Sequence, residues 1–478
     1  MARSRTRVST PLALVVIFPA LSASAQPTPI VLDGDLHDWD ARPALVASAE
    51  HLYLRFAPGS DVTLQGGQRT THILLDLDAD AATGQAFSTD NPLGVDLEIQ
   101  ISPPPDEIGA ELSTGVRAWV YIADGRLPLS HTDIGVAFAP TYAADAYELR
   151  LDRDAAVLAS FSKADRVRGL VVQTDENGKE LWRSDPFEGV LDPPAITDPP
   201  VGGGPVPHAP PGAIRVLSHN VLHTRPGESP DAFARLYHAL APDVILLQEW
   251  DDWSAEKLVA WFDEHVPIDG GWHAVAHPGE RAGVAVVSRF PITLAVDEPI
   301  HAEGVSWPVR FVAAVVDAPG GPLLAGSIHL KCCGYAGSSE DEQRQDEARA
   351  INALVKRVLD EHDLARCVMG GDLNLVGSRP PLDLLRANLD ADATDLEPAR
   401  TLIWGDAAAL TWTDDHSAFS PGRLDWIVYS DAVFENPFAC VVETERLTPD
   451  ALAKMGLERE DSRASDHMPV VVDLTPSE

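Results

Sequence analysis

Residues 191–213 read LDPPAITDPPVGGGPVPHAPPGA, with eight Pro and four Gly in 23 positions. Proline fixes φ and removes a backbone donor, and glycine weakens any regular element, so neither a helix nor a central strand can run through this stretch. It reads as a semi-stiff linker. It divides the 478-residue chain into segments of about 27–190 and 214–478. Each is long enough to enclose a core of its own.

Arg3, Arg5 and Arg7 precede an apolar run from Pro11 to Leu21, followed by Ser22-Ala23-Ser24-Ala25-Gln26. A basic start, a short apolar middle and a small-x-small end predict a signal peptide over residues 1–25, and hence a secreted or periplasmic protein. The run is well short of the roughly 20 residues a spanning helix needs, and no later segment is apolar enough, so no transmembrane segment is expected. Lys and Arg number 36 against 73 Asp and Glu, a formal charge of −37. That balance excludes a protein that grips nucleic acid through bulk positive charge, although not one with a local basic patch.

Between residues 27 and 190, short runs at His51–Phe56, His72–Leu77, Val95–Ile101, Val116–Ile122, Ala146–Leu151 and Val167–Gln173 are separated by Gly, Pro and Asp clusters. This spacing predicts an all-β sandwich domain. Asp33–Asp40 (DGDLHDWD) and Leu74–Gly84 (LLDLDADAATG) resemble β-sandwich modules of the carbohydrate-binding family-nine type. The resemblance implies a binding or positioning module, with a polysaccharide or surface ligand, and not a second active site. Asp76, Asp78 and Asp80 have the spacing of a calcium loop, but Ala81 and Phe87 stand where an EF-hand needs Gly and Glu. An acidic turn closed by Gly84 is the better reading. Trp39, Trp119 and Trp182 have the chemistry to stack on sugars, yet most aromatics in such a module fill its core.

The second segment alternates strands with helices. Ile214–Ser218, Val244–Leu247, Val284–Ser288, Leu323–His329, Cys367–Gly370 and Trp426–Tyr429 read as strands, and Pro230–Leu240 and Glu340–Leu359 as helices. In the latter helix Ala348, Ile351, Leu354, Val355 and Val358 recur at helical spacing, with Ser338 or Ser339 placed to cap it. The mixture predicts an α/β sandwich preceded by the all-β domain.

Polar residues stand where these strands end. Asn220 follows IRVLSH, Glu249 follows DVILLQ, and His329 ends LLAGSIH. Asp372 and Asn374 lie in GGDLN, Asp425 in GRLDWIVYS, and Asp466-His467 in SRASDHMPVVVDL. Each has an ordinary alternative: the Asn pair as turn formers, Asp372 as a loop start, His329 as a satisfied strand-end histidine. As an ordered set, QE, GVAVVSRFPI, GDLN, RLDWI and SDH resemble the endonuclease/exonuclease/phosphatase superfamily over about residues 214–475. The resemblance implies a four-layer α/β sandwich, with two mixed sheets flanked by helices and the site at the strand ends.

Hydrolysis of an anionic phosphodiester needs charge neutralisation, a positioned water and help for the leaving oxygen. Glu249 is the best candidate for holding a magnesium-like ion (Mg²⁺, or Mn²⁺ or Ca²⁺), because hard cations take carboxylate oxygen. By the resemblance, Asn220 and Asp466 lie near that ion, Asp372 acts on the attacking water, and Asn374 holds the phosphate or that water. His467 would donate to a phosphate oxygen with Asp425 fixing its tautomer, and His329 would neutralise charge from the opposite side. His219, His223, His277, Lys331, Arg344 and Glu347 stand in a second tier. The strands ending at His329 and Asp372 run parallel in the implied fold, which puts Cys367 roughly 16 Å from the site and out of disulfide reach of Cys332 or Cys333. A vicinal Cys332–Cys333 bridge at the site rim, or free thiols there, is expected.

These features predict a secreted, divalent-metal-dependent phosphoesterase cleaving phosphodiesters, with nucleic acid or phospholipid as substrate. A polymeric nucleic acid would need a basic strip, for which Arg281, Arg310, Lys331, Arg344 and Arg423 are the candidates. A phospholipid or small phosphodiester tolerates acidic surroundings better. The competing class, a non-catalytic binding protein, is disfavoured by the full set of acids and histidines.

Overall fold

The computed structural model describes residues 29–477, apart from 67–68, 88–91, 104–114, 154, 159–163, 193, 198–202, 278–282, 415–416 and 418. The expected signal peptide and Arg281 lie outside the described residues. The first segment folds as a sandwich of a four-stranded sheet (Leu45–Ala47, His51–Phe56, Tyr147–Asp152, Ala137–Ala139) and a seven-stranded sheet centred on Arg166–Asp175, Arg69–Asp76 and Leu97–Ile101. Leu54, Ile73, Ile99, Tyr147 and Val171 fill the space between them. The opening DGDLHDWD is explained by one buried carboxylate. Glu148 accepts the Asp33 and Gly34 N–H groups at 2.8 and 2.7 Å and the Trp39 indole N–H at 2.9 Å. Trp39 is therefore a core residue with no face for a sugar, and Trp119 lies under the Arg126 guanidinium. In the acidic turn Asp78 accepts the Thr83 hydroxyl and the Asp80 N–H, while Asp76 is bound to Arg168.

The second segment forms two six-stranded sheets. One runs His273–Ala276, Ala285–Ser288, Val244–Gln248, Ile214–Asn220, Val470–Pro476, Phe434–Val441. The other runs Ile292–Leu294, Phe311–Val316, Leu323–His329, Cys367–Asp372, Asp425–Tyr429, Glu397–Pro398. The central strands are apolar on both faces because both faces are covered. Val216, Leu246, Val286 and Val472 point into the space between the sheets, while Leu217, Ile245, Leu247 and Val287 meet the outer helices Pro230–Leu240 and Ala255–His265. Behind the second sheet lies the helix Ser339–His362, capped by Ser338 and packed through Ala348, Ile351, Val355 and Val358. The result is the four-layer order helix, sheet, sheet, helix.

The proline-rich stretch, in its described part, is not a free tether. Gly203 pairs with Leu447, Val206 is buried, and Pro207 C=O accepts from Arg215 at 2.7 Å. Proline forbids a helix or a central strand but not packing, and here it packs. The sandwich is likewise seated on the α/β layers. Leu32 pairs with Ala408, Asp33 with Arg400 at 2.8 Å, and the buried Arg150 with Asp406. Losing one partner of a buried ion pair strands the other charge, at a cost of about 3–5 kcal/mol. We predict that Asp406→Ala destabilises the protein by that order in chemical denaturation, and that Arg150→Met combined with Asp406→Leu recovers most of the loss.

Candidate active site

Register places the polar residues together. Ile214–Asn220 and Val244–Gln248 are parallel with Asn220 opposite Gln248, so Asn220 and Glu249 leave the first sheet at one end. Leu323–His329 and Cys367–Asp372 are parallel with His329 opposite Asp372. Asp425, at the start of the next antiparallel strand, lies opposite Asp372. Val470–Pro476 runs antiparallel to Ile214–Asn220, which returns Asp466-His467 to the same end. Hydrogen bonds tie the two sheets across the gap: Asn220 Nδ2 donates to Asp372 Oδ2 at 3.2 Å and Gln248 Nε2 to Ser327 Oγ at 2.9 Å.

Asp372 is the hub. Its Oδ1 accepts the Asn374 N–H at 2.9 Å and its Oδ2 accepts the Asn220 and Asn374 amides at 3.2 and 3.1 Å. The Nε2 atoms of His329 and His467 stand 3.5 and 3.7 Å from the same Oδ2. Asn374, at φ 49°, also donates to Leu330 C=O at 3.1 Å, so its amide orients Asp372 and ties it to the neighbouring strand end. Glu249 adopts φ 62°, a conformation that bulky L-residues rarely take. It is held there by Asn220 Nδ2 at 3.1 Å, by the His223 N–H at 3.1 Å and by its own C=O accepting from Thr224 N–H at 2.9 Å. Leu222, His223 and Thr224 are all left-handed as the chain wraps this carboxylate. Backbone strain of this kind gathers where a side chain must be aimed.

The two imidazoles are in different states. Asp425 Oδ2 lies 2.8 Å from His467 Nδ1. Burial opposes a charge on His467, but the Asp425 and Asp372 carboxylates outweigh it and push its pKa up to about 10. His329 has no such carboxylate on Nδ1; the Arg310 guanidinium sits there at 3.0 Å. A guanidinium only donates, so Nδ1 accepts and the proton of the neutral ring is on Nε2, aimed at Asp372 and Glu249. Burial, with the neighbouring Arg310 charge, holds His329 well below the ordinary histidine range. His329 therefore acts on developing charge as a neutral donor.

Asp466 Oδ2 accepts the Trp412 indole N–H at 2.9 Å. Glu249, His329 and Asp372 bring donor atoms within 4.8 Å of one another, as do Asp372, Asp425 and His467. The hard carboxylate oxygens of Glu249 and Asp372, met on one side by a neutral imidazole and a neutral amide, fit a divalent cation. In the same neighbourhood Asn220 offers its NH₂ to the carboxylates, its oxygen being engaged by the Leu222 N–H at 3.1 Å.

Of the second tier, His223 stands 3.5 Å from Glu249. His219 is buried against Phe233 and Tyr237 behind the site. Arg344 is fully buried and donates to Lys331 and Cys333 carbonyls at 2.9 and 2.7 Å, while Glu347 accepts the Lys331 N–H at 2.8 Å. This pair fixes the loop after His329, where Cys332 and Cys333 form the vicinal disulfide; Cys367 and Cys440 are buried thiols. Of the candidates for the basic strip that a polymeric nucleic acid would need, Arg310, Arg344 and Arg423 are spent on internal partners, the last stacked on Trp426 and donating to Ala399 C=O. Sequence reasoning did not single out Trp412 or Thr411, whose Oγ1 accepts the Asp425 N–H at 3.0 Å. No local spacing marks residues whose role depends on a contact this far along the chain.

A profile of the endonuclease/exonuclease/phosphatase family matches residues 217–467. The chain belongs to this family. No curated protein matches the sequence. Similar solved structures include a 3′ phosphatase (NExo) from Neisseria bound to a product DNA hairpin, with 20% identity over 55% of this chain and 99% of that one and a TM-score of 0.37. The human Nocturnin catalytic domain with bound sulfate has 17% identity over 56% and 96%, with a TM-score of 0.33. Truncated TDP2 from Caenorhabditis elegans has 18% identity over 55% and 97%, with a TM-score of 0.36. As a member of the endonuclease/exonuclease/phosphatase family, the protein is a metal-dependent hydrolase of phosphate-ester bonds. The imidazolium of His467 exists below about 10 and is lost as pH rises through that value. Asp425→Asn removes one of the two carboxylates that together outweigh burial, so we predict that the alkaline limb of kcat moves to lower pH by about one unit or more. A kcat profile from pH 6 to 11 measures it.

Proposed function

We propose that this protein is an exported phosphodiesterase acting by attack of water on the phosphorus of a phosphodiester. The observation that carries the reading is the cluster in which Glu249, Asp372, His329 and His467 converge. Export rests on the basic, apolar and small-residue pattern of residues 1–25. Among the described residues no helix is long and apolar enough to cross a membrane.

A divalent cation, taken here as Mg²⁺, would be held by Glu249 with Asp372, Asn220 and Asp466 nearby, and would neutralise phosphate charge and lower the pKa of water. The remaining work falls to the protein's own groups. Asp372, fixed by Asn374 and Asn220, orients the attacking water and accepts its proton. His467, with Nδ1 fixed on Asp425, offers Nε2–H to a phosphate oxygen. As the bond from phosphorus to the leaving oxygen breaks, His329 donates a hydrogen bond from Nε2–H to the charge that develops, its tautomer set by Arg310, and the leaving group takes its proton from water.

Engagement of the buried Arg344 and the half-buried Arg310 and Arg423 with internal partners favours a small phosphodiester or phospholipid over a long nucleic acid, because guanidiniums already paired within the protein contribute little to phosphate neutralisation along a polymer. Bis-(4-nitrophenyl) phosphate hydrolysis with magnesium tests the chemistry. We expect chelator to abolish turnover and Glu249→Ala or His467→Ala to lower kcat/KM by about 10² or more. Chelator-insensitive or absent turnover would refute the reading. A panel of plasmid DNA, RNA, sphingomyelin and inositol phosphates then orders the substrates: preferential DNA nicking with steep salt dependence would overturn the small-substrate preference.

A further inference from the structure

The family match covers residues 217–467 and leaves the sandwich without a part in the chemistry. The contacts give it one. Trp412 and Gly422 pair with each other, Trp412 N–H to Gly422 C=O and Gly422 N–H to Trp412 C=O, at 3.0 and 3.1 Å, and the described residues between them (413–414, 417 and 419–421) connect the two domains. The outer part of this connection is bonded to the sandwich. Gly115 N–H donates to Ser417 C=O at 2.8 Å, and Ser420 Oγ–H donates to Gly115 C=O at 3.1 Å. The buried Gln65 side chain accepts the Ser420 N–H at 3.0 Å and donates to Ser420 C=O at 3.3 Å. Thr141 Oγ1 accepts the Arg423 N–H at 2.7 Å.

The inner part touches the chemistry. Trp412 donates its indole N–H to Asp466 Oδ2 and bridges to His467. Thr413 N–H donates to Asp466 C=O at 3.3 Å, and Met468 N–H to Thr411 C=O at 2.8 Å. Thr411 Oγ1 accepts the N–H groups of Leu424 and Asp425, the residue that orients His467. Hydrogen bonds, joined by one- or two-residue steps of backbone at Ser420–Gly422 and Arg423–Leu424, thus connect Gln65, Gly115 and Thr141 to Asp466, Asp425 and His467.

We propose that the β-sandwich is a positioning element of the active site, in which Gln65 and Thr141 hold Ser420 and Arg423 so that the neighbouring Trp412 and Thr411 keep Asp466 and Asp425 in place. The claim rests on the phosphodiesterase reading only for its catalytic readout. Catalysis is sensitive to small displacements of orienting groups, whereas ground-state binding of a small substrate is less so.

The test uses the full chain labelled with ¹⁵N-tryptophan, with the Trp412 indole peak assigned from Trp412→Phe. In Thr141→Val and in Gln65→Ala the Trp412 indole resonance should shift or broaden. For bis-(4-nitrophenyl) phosphate, kcat should fall about tenfold, the scale of one lost hydrogen bond, with KM within about twofold. Thr141→Ser, which keeps the hydroxyl, should restore both readouts. An unmoved indole peak with unchanged kcat in both Thr141→Val and Gln65→Ala would overturn the proposal, as would a loss confined to KM. If the wild-type protein does not hydrolyse the diester, the phosphodiesterase reading fails and the indole resonance alone decides the positioning claim. Should Thr141→Val lose its folded spectrum, the decision passes to Gln65→Ala.

Discussion

One carboxylate, buried between two sheets, sets the terms for everything around it. Asp372 is only 2% exposed, yet it is surrounded by donors that reach it from both sheets: amides from Asn220 and Asn374, and imidazoles from His329 and His467. An unpaired charge in such a position would be prohibitive. The parallel pairing of Leu323–His329 with Cys367–Asp372 and the facing pair Ile214–Asn220 and Val244–Gln248 exist, in functional terms, to bring those donors to one point. Apolar residues filling both faces of the central strands make that convergence rigid.

The same principle separates the two histidines. Each is buried and each faces Asp372, so their surroundings at Nδ1 decide their chemistry. A carboxylate there gives one ring a charge; a guanidinium there keeps the other neutral and fixes its tautomer. A single site thus holds two imidazole donors of unequal acidity, a division of labour that follows from opposite neighbours and not from the rings themselves.

Much of this was legible in the chain. The polar residues ending apolar runs marked the site because a strand that ends at a shared sheet edge delivers its next side chain to the same place, and Asn220, Glu249, His329, Asp372, Asn374, Asp425 and His467 all lie there. Asp466 lies in the same stretch, its carboxylate accepting from Trp412. The strand Phe311–Val316 and the helix Ala255–His265 were not read. The first is a short apolar run without alternation, and the second carries only Leu258, Trp261 and Phe262 on its buried face. Arg310 is among the candidates for a basic strip in the sequence because composition does not reveal which guanidinium folding will spend on an internal partner. Trp412 was invisible because its partner is distant in sequence, and the proline-rich stretch looked like a spacer because proline's veto on regular structure says nothing of packing.

The seam between the two halves is closed by absent side chains. A β-carbon on Gly115 would collide with the Phe419 backbone, and one on Gly422 with Thr141. A different sandwich placed on this catalytic half would therefore need residues without side chains at both points of close approach.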